Sequence, residues 1–445
     1  MWAKIEVISS DREIIYLTSS LLIDCKQSIN IIFGRKSVNA SVEYTDDSSL
    51  EESSFENPGK IVITEKLKKK LLIPETQVYR VKISTSSIAI GPVIGLLLGN
   101  DTKRYNPNHM KKYSDRFGIY NKVGGLIYAF SPKSINWQNQ TAYGLYYNIV
   151  AKSWEYGYFP LPEVIYRRDF HSNPKDIEKL IEFTGGKLFN SYRFSKYELY
   201  NFFRLNSEVN KYLPPTELLL KFEQVKAFID CYNKVILKPI DLSRGRGICI
   251  IEKIDLIYKL TDYRAKNPKV SVFNDDESLE DFFAMKNNNF FENYLIQKCL
   301  SLAKIGNSIF DIRIVMQKQK NKVWGCTGIE CRVASIDSHL TNISKGGYAL
   351  SLDDALCQAF PEDDKSLAQQ VTELSQKLCL YMDASTEHFA EFGIDIGIDS
   401  DKKLWFIEAN VFPSFKGFKT MDWQIYLAIR YTPFLYALSL TEFRA

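Results

Sequence analysis

Three polar runs interrupt apolar strands in the second half of the chain, and each has a spacing that chemistry can use. In Phe392-Gly-Ile-Asp-Ile-Gly-Ile-Asp399 and Lys403-Leu-Trp-Phe-Ile-Glu-Ala-Asn410, two strand-like runs joined by a short turn are broken by Asp395, Glu408 and Asn410. Glu408 and Asn410 are two apart and so share a strand face. Oxygen side chains facing one space suit a hard cation such as Mg2+, which takes a few protein oxygens plus phosphate and water. Carboxylates on a solvated sheet face are the plain alternative, weakened by the apolar Ile394, Ile396, Ile407 and Ala409 between them.

In the second run an apolar strand from Val235 ends at Lys238-Pro239, the loop Ser243-Arg-Gly-Arg-Gly247 follows, and another apolar strand begins at Ile248. Glycines let backbone N–H groups close over an anion, and Arg244 and Arg246 suit phosphate oxygens. An ordinary hairpin with exposed arginines accounts for the run equally well. In the third run, Asp311 and Arg313 share one strand face, as do Glu330 and Arg332. That alternation is either a cross-strand ion-pair ladder, worth little if exposed, or a row of arginines aimed at a triphosphate. Thr341-Asn-Ile-Ser-Lys-Gly-Gly347 is a polar, glycine-ended loop of the kind that clamps a phosphate.

The elements that must position these residues fall into three expected regions. Residues 1–88 read as a small β-rich domain: Ile29–Phe33, Lys60–Thr64 and Tyr79–Ile83 are strand-like, Thr45–Pro58 is an exposed polar loop, and Thr64–Pro74 contains a short amphipathic helix whose lysines form a solvated face. Residues 89–184 read as an α/β domain, with strands at Ile88–Leu98, Gly125–Phe130 and Val164–Tyr166 and a helix over Tyr113–Lys122. Ligand crevices in such sheets lie beyond the carboxyl ends of the strands. Residues 185–445 read as α+β. Leu367, Val371, Leu374, Leu378 and Met382 line one face of a long helix, and Met421–Leu440 reads as two packing helices interrupted at Pro433.

Composition excludes several classes. A chain of 445 residues has room for two to four domains, and 45% apolar with 25% charged residues is an ordinary globular balance. With 57 basic and 53 acidic residues the net charge is +4, too weak to predict nucleic acid as the main partner. The longest apolar run, Ile88–Gly99, contains three Gly and a Pro and cannot cross a bilayer as a helix. No signal peptide is visible at Met1–Val7, so the expectation is a cytoplasmic protein without membrane insertion. Eight scattered cysteines without a C-x-x-C pair, and four histidines, argue for buried reduced thiols and against structural zinc.

Taken together and in this order, the motifs resemble the ATP-grasp superfamily over roughly 185–445. The last third resembles RimK-type ligases, through Asp311-x-Arg313, Arg332, the loop Asn342 to Gly347, Asp395, and Glu408-x-Asn410-x-x-Pro413. Over the whole chain the resemblance is to the YheC/YheD family of endospore coat-associated proteins. It rests on Gly91–Gly95, Pro160-Leu-Pro-Glu-Val-Ile-Tyr-Arg-Arg168, Leu188–Glu198, Leu213–Thr216 and Leu237–Ile248.

The resemblance implies a fold, a site and a chemistry. The fold would be a β-rich N-terminal domain, an α/β pre-ATP-grasp domain on the acceptor side, and a C-terminal ATP-grasp fold of two α+β lobes. Lys196 and Lys238 would reach the ATP phosphates, and Ser243, Arg244, Gly245, Arg246 and Gly247 would fold over them, with Asn342 on the later loop. Gln297, Lys298 and Leu300 would meet adenine at the hinge between lobes. Asp395, Glu408 and Asn410 would hold Mg2+, while Arg313, Arg332 and Lys345 would stabilise the transferring phosphoryl group.

The implied activity is an ADP-forming carboxylate–amine ligase acting through an acyl phosphate on an amino acid, peptide or protein acceptor. Its alternative is a structural coat protein that keeps the fold without turnover. Spore-coat proteins are implied partners, and the mother-cell cytoplasm and spore coat the implied setting. The sequence departs from the family pattern at Leu242, where the phosphate loop usually has Gly, at Pro215, where Glu is usual, and at Glu163 and Arg167, where Asp and Asn are usual.

Overall fold

The computed structural model describes the chain apart from residues 19–27, 46–49, 51–52, 170, 243–244, 265–267, 286–287, 337–340, 342–345, 363–365 and 444–445. The first strands close into a seven-stranded barrel in the order Trp2–Ile8, Gly59–Thr64, Ile14–Thr18, Lys36–Thr45, Ser28–Phe33, Ser87–Gly91, Val78–Ile83, the last pairing back to the first. Alternation does the work: Ile29, Ile31 and Phe33 point inward from one strand, and closure leaves no edge to protect. Helix Glu65–Leu71 buries Leu67 and Leu71, and its outward lysines pair with Glu13, Glu65 and Glu75. The stretch read as an exposed loop is not wholly so, because Leu50 is fully buried in the barrel core.

The expected strand Ile88–Leu98 is two strands. Ser87–Gly91 completes the barrel and Val93–Leu97 enters a second, open sheet, with the break at Pro92, which has no N–H to give a ladder. That sheet runs Ser153–Pro160, Thr141–Asn148, Leu126–Asn136, Val93–Leu97, Val164–Arg167, Leu188–Phe189, and its last four strands are parallel. The expected helix Tyr113–Lys122 is a 3-10 segment, Lys111–Ile119, followed by one α turn, Tyr120–Val123. Gly118 explains part of this, being a poor α-helix former whose added Cβ would lie 2.1 Å from the Tyr431 hydroxyl.

Two antiparallel sheets build the rest. One runs Thr216–Leu218, Tyr294–Lys298, Lys234–Pro239, Cys249–Ile254, Ile257–Asp262, Lys269–Phe273, and packs on helices Phe222–Tyr232 and Asp276–Ala284 through Val225, Ile229, Leu279 and Phe283. The other runs Tyr348–Leu350, Trp324–Val333, Ser308–Lys318, Glu391–Ile398, Leu404–Asn410. Helix Ser366–Met382 backs it with Leu367, Val371, Leu374, Leu378 and Met382 all buried.

The end of the chain differs from expectation. Trp423–Ser439 is one helix that continues through Pro433. Proline removes the N–H that would donate to the Ile429 carbonyl, and the buried Gln317 Nε2 donates to that carbonyl instead, at 2.8 Å. Phe434, Tyr436 and Ala437 from this helix share a core with Val78, Leu96, Ile127 and Tyr166. Among the described cysteines only Cys249, Cys331 and Cys379 are buried, while Cys231, Cys326 and Cys357 are exposed, which corrects the expectation of mostly buried thiols. Apolar neighbours in sequence put a side chain inside only when its own strand or helix face turns inward.

Candidate functional site

The acid–base alternation of the third run is a buried lattice. Strand pairing sets Asp311 opposite Arg332, and Arg313 opposite both Glu330 and Asp395. Arg313 grips Asp395 with two N–H groups, Nε to Oδ1 and Nη2 to Oδ2 at 2.8 Å. Arg332 Nη2 reaches the same Oδ2 at 2.8 Å, and Arg332 also holds Asp311 at 2.7 and 2.6 Å. Burial alone would raise the Asp395 carboxyl, but Arg313 and Arg332 outweigh it and hold the group at about 2. Glu330 is 2% exposed and is pushed up to about 7 by burial, against the pull of Arg313 and Arg332.

Asp395 faces Glu408 across the next strand pair, and a bulge follows immediately. Asn410 Nδ2 donates to Glu408 Oε1 at 2.7 Å. An ionised carboxylate has about four acceptor positions, and the two arginines occupy three of them on Asp395, which leaves one on Oδ1. Two carboxylates and an amide carbonyl form an all-oxygen set. That donor chemistry fits Mg2+, which needs few protein ligands and fills the rest of its shell with phosphate and water. Among the described residues no group of three His, Cys, Asp or Glu gathers, so the set depends on the Asn410 amide.

The lysines arrive from other elements. Ser195 caps helix Lys196–Arg204 in a reciprocal box with Glu198, which fixes Lys196 at the helix start. Lys196 Nζ donates to the carbonyls of Pro239, at 3.2 Å, and Leu242. Lys238 Nζ donates to Gln297 Oε1 at 2.6 Å, and Gln297 Nε2 donates in turn to Thr216 Oγ1 at 2.6 Å. Burial pushes Lys238 down to about 8, with Glu408 opposing and Lys196 adding to the shift. Lys196 is likewise lowered by burial, with Glu408 opposing. A cleft lined by Lys196, Ile240, Leu242, Phe406, Glu408 and Asn410 opens between Lys196 and the Glu408–Asn410 strand.

The structure therefore brings together Lys196, Lys238, Gln297, Arg313, Arg332, Asp395, Glu408 and Asn410. Gly245 and Gly247 take positive φ, +65° and +78°, and a Cβ on Gly247 would sit 2.6 Å from the Pro239 ring. The Gly247 carbonyl accepts from the Tyr294 hydroxyl at 3.0 Å. Arg246 is exposed, Lys298 ends its strand with its ammonium 5.7 Å from the Trp405 ring centre, and Leu300 is half-buried just beyond. Ser243, Arg244, Asn342 and Lys345 lie outside the described residues.

Thr216 was not legible as a site residue. Its part in holding Gln297 follows only from the pairing of Thr216 with Gln297 across two strands distant in sequence. The departures also find places. Leu242 contributes its carbonyl to Lys196, Glu163 accepts from the Val93 N–H at 3.1 Å, and Arg167 pairs with Asp169 at 3.0 Å and donates to the Ser191 carbonyl.

Two antiparallel lobes, with Lys238 on the sheet of one, Asp395, Glu408 and Asn410 on a hairpin of the other, and Lys196 at the start of a helix packed on the second, make this an ATP-grasp fold. The chain belongs to the YheC/D-like ATP-grasp family, whose sequence profile matches residues 185–440. It is similar to the endospore coat-associated protein YheD of Bacillus subtilis (strain 168), 25% identical over 416 residues that cover 90% of this chain and 87% of that one. Endospore coat-associated protein YheC of the same organism is 23% identical over 319 residues, 69% of this chain and 84% of its own. Among solved structures, the ATP-grasp ligase PsnB complexed with precursor peptide PsnA2 and AMPPNP is 14% identical, covers 78% of this chain and 98% of its own, and superposes with a TM-score of 0.45. No helix among the described residues is long and apolar enough to cross a membrane.

Proposed function

We propose that the protein is an ATP- and Mg2+-dependent carboxylate–amine ligase that forms an amide through an acyl phosphate. The observation that carries this reading is that Lys196 and the Glu408–Asn410 strand line one cleft, with Lys238 close enough to feel both Lys196 and Glu408, and Asp395 with its two arginines on the neighbouring strands. Cations that bind a triphosphate and oxygens that bind its counter-ion are the parts phosphoryl transfer needs, since it asks for positioning and charge neutralisation and not for a protein nucleophile.

In the proposed reaction an acceptor carboxylate oxygen attacks the γ-phosphorus of ATP, and the bond to the β–γ bridging oxygen breaks. ADP leaves and an acyl phosphate forms. An amine then attacks the acyl carbon, the C–O bond to phosphate breaks, and the amine nitrogen loses a proton as the amide forms. Lys196 and Lys238 bind and orient the α- and β-phosphates, with Gln297 and Thr216 fixing Lys238. The Ser243–Gly247 loop and Asn342 cover the phosphates, and Gln297, Lys298 and Leu300 border the adenine. Arg313, Arg332 and Lys345 take the charge that develops on the transferring group. Asp395, Glu408 and Asn410 would hold Mg2+, which when bound neutralises charge on the β- and γ-phosphates.

We place the acceptor side in residues 89–184 and the nucleotide site in 185–445, with the β-rich first 88 residues as a unit that shares its core with the acceptor-side sheet. The acceptor is an amino acid, peptide or protein, and the coat-associated relatives put spore-coat polypeptides, and a setting at the mother-cell cytoplasm and coat, first among those to try. The test is ADP release from Mg-ATP with pooled carboxylates and amines. The reading predicts release that needs both partners and falls at least a hundredfold in Glu408→Gln. Nucleotide binding without acceptor-dependent release, or an active Glu408→Gln protein, would sink it.

A further inference from the structure

The run Val164-Ile-Tyr-Arg-Arg168 lies outside the nucleotide cleft, yet its side chains reach into the hairpin that carries the candidate metal ligands. Arg168 Nη1 donates to both oxygens of Glu391, at 3.0 and 2.9 Å, and its Nη2 donates to the Pro413 carbonyl at 2.9 Å. Tyr166, one residue inside the end of the open-sheet strand, donates to Glu391 Oε2 at 2.7 Å, and Gln317 Nε2 contacts Oε1 at 3.2 Å. Glu391 is fully buried. The Arg168 guanidinium also lies 4.9 Å from the centre of the Phe415 ring.

Position in the chain gives these contacts meaning. Glu391 opens the strand that holds Asp395, and Pro413 lies just past the strand that holds Glu408 and Asn410. One guanidinium thus ties the first residue of the hairpin to the chain leaving it. Gly393 pairs with Asn410 between those two anchors, and a Cβ on Gly393 would meet the Pro413 ring at 2.5 Å, so the exit chain already lies directly on the first strand. A planar guanidinium whose Nη1 is shared between the Glu391 oxygens while its Nη2 donates to the Pro413 carbonyl holds both pieces in one plane, which a lysine cannot do.

We propose that Arg168 is a positioning residue for the metal hairpin, setting the Glu408–Asn410 strand against Asp395 from the acceptor-side sheet. Through Glu391 and Pro413 it makes the geometry of the Mg2+ ligands depend on the sheet expected to contact the acceptor. The role rests on the ligase reading for its functional meaning, because Asp395, Glu408 and Asn410 are metal ligands under that reading.

The test compares wild type with Arg168→Gln, Arg168→Lys and Arg430→Lys. Arg430 is a similarly buried arginine that pairs with Asp115 and the Lys112 carbonyl, away from the hairpin. Calorimetric titration with a non-hydrolysable ATP analogue is run with and without Mg2+, and hydrogen exchange is followed over residues 391–413. Arg168→Gln is expected to lower the Mg2+-dependent gain in nucleotide affinity about tenfold, the scale of one lost charge-assisted hydrogen bond, leaving Mg2+-free affinity unchanged and speeding exchange in the hairpin. Arg168→Lys recovers part of the gain, and Arg430→Lys leaves it intact. An unchanged gain in Arg168→Gln, or an equal loss in Arg430→Lys, overturns the role given to Arg168 while leaving the ligase reading standing. A wild-type protein that binds no Mg–nucleotide overturns that reading, and this role with it.

Discussion

The surroundings of Lys238 set when it carries charge. Its ammonium is half-buried, tied to Gln297 and lowered to about 8 from an ordinary 10.5 by desolvation. Because the folded value lies below the unfolded one, the unfolded chain binds more protons between about pH 8 and 10.5, and stability attributable to this group rises with pH through that window. In the proposed site a triphosphate favours the charged form, so nucleotide binding above pH 8 would draw a proton onto Lys238. Titrations at about pH 9 in buffers of different ionisation heat are expected to show that uptake, and Lys238→Arg, which stays charged, to abolish it. Lys238→Met should weaken binding roughly 10- to 150-fold, the range for a lost hydrogen bond to a charged group. Equal proton uptake in wild type and Lys238→Arg would assign the proton elsewhere.

At the scale of elements, Gln317 and Pro433 form a unit that neither shows alone. The helix Trp423–Ser439 tolerates its proline because Gln317 satisfies the Ile429 carbonyl from the neighbouring sheet. Gln317→Leu is therefore expected to cost about 1–3 kcal/mol in urea unfolding, the penalty for an unsatisfied buried polar group. In a Pro433→Ala background the restored N–H bonds that carbonyl, so the same substitution should cost less. An identical cost in both backgrounds would detach Gln317 from the proline.

The same pair shows what a single sequence conceals. Local period made helix 366–382 legible, since Leu367 to Met382 recur at helical spacing and all face the core. Polar residues inside apolar strands made Asp395, Glu408 and Asn410 legible. Continuity through Pro433, the break of one apolar run into a barrel strand and a sheet strand at Pro92, and the hold of Thr216 on Gln297 all depend on partners far along the chain. Spacing carries no trace of them. The choice between an ion-pair ladder and a row of phosphate-binding arginines was undecidable in sequence for the same reason. In the fold Arg313 and Arg332 are paired in a buried ladder and stand beside the cleft strand as well.

The whole molecule is tied together across its sheets. Barrel and open sheet share one core from Ala3 to Leu188, and the last helix returns to pack beneath the open sheet. The polar network of Tyr166, Arg168 and Glu391 joins that sheet to the strand bearing Asp395. A net charge of +4 gives no hint of the cations gathered around one cleft. Such an arrangement suits a reaction in which an acceptor held on one sheet meets a nucleotide held between two others. The most direct test of that reaction uses acceptors labelled with oxygen-18 in the carboxylate, incubated with Mg-ATP, amines and the protein. An acyl-phosphate ligase leaves one labelled oxygen in each inorganic phosphate released, in step with new amide. Phosphate that forms with amide but carries no label, or ATP consumption with no amide at all, would contradict the proposed chemistry.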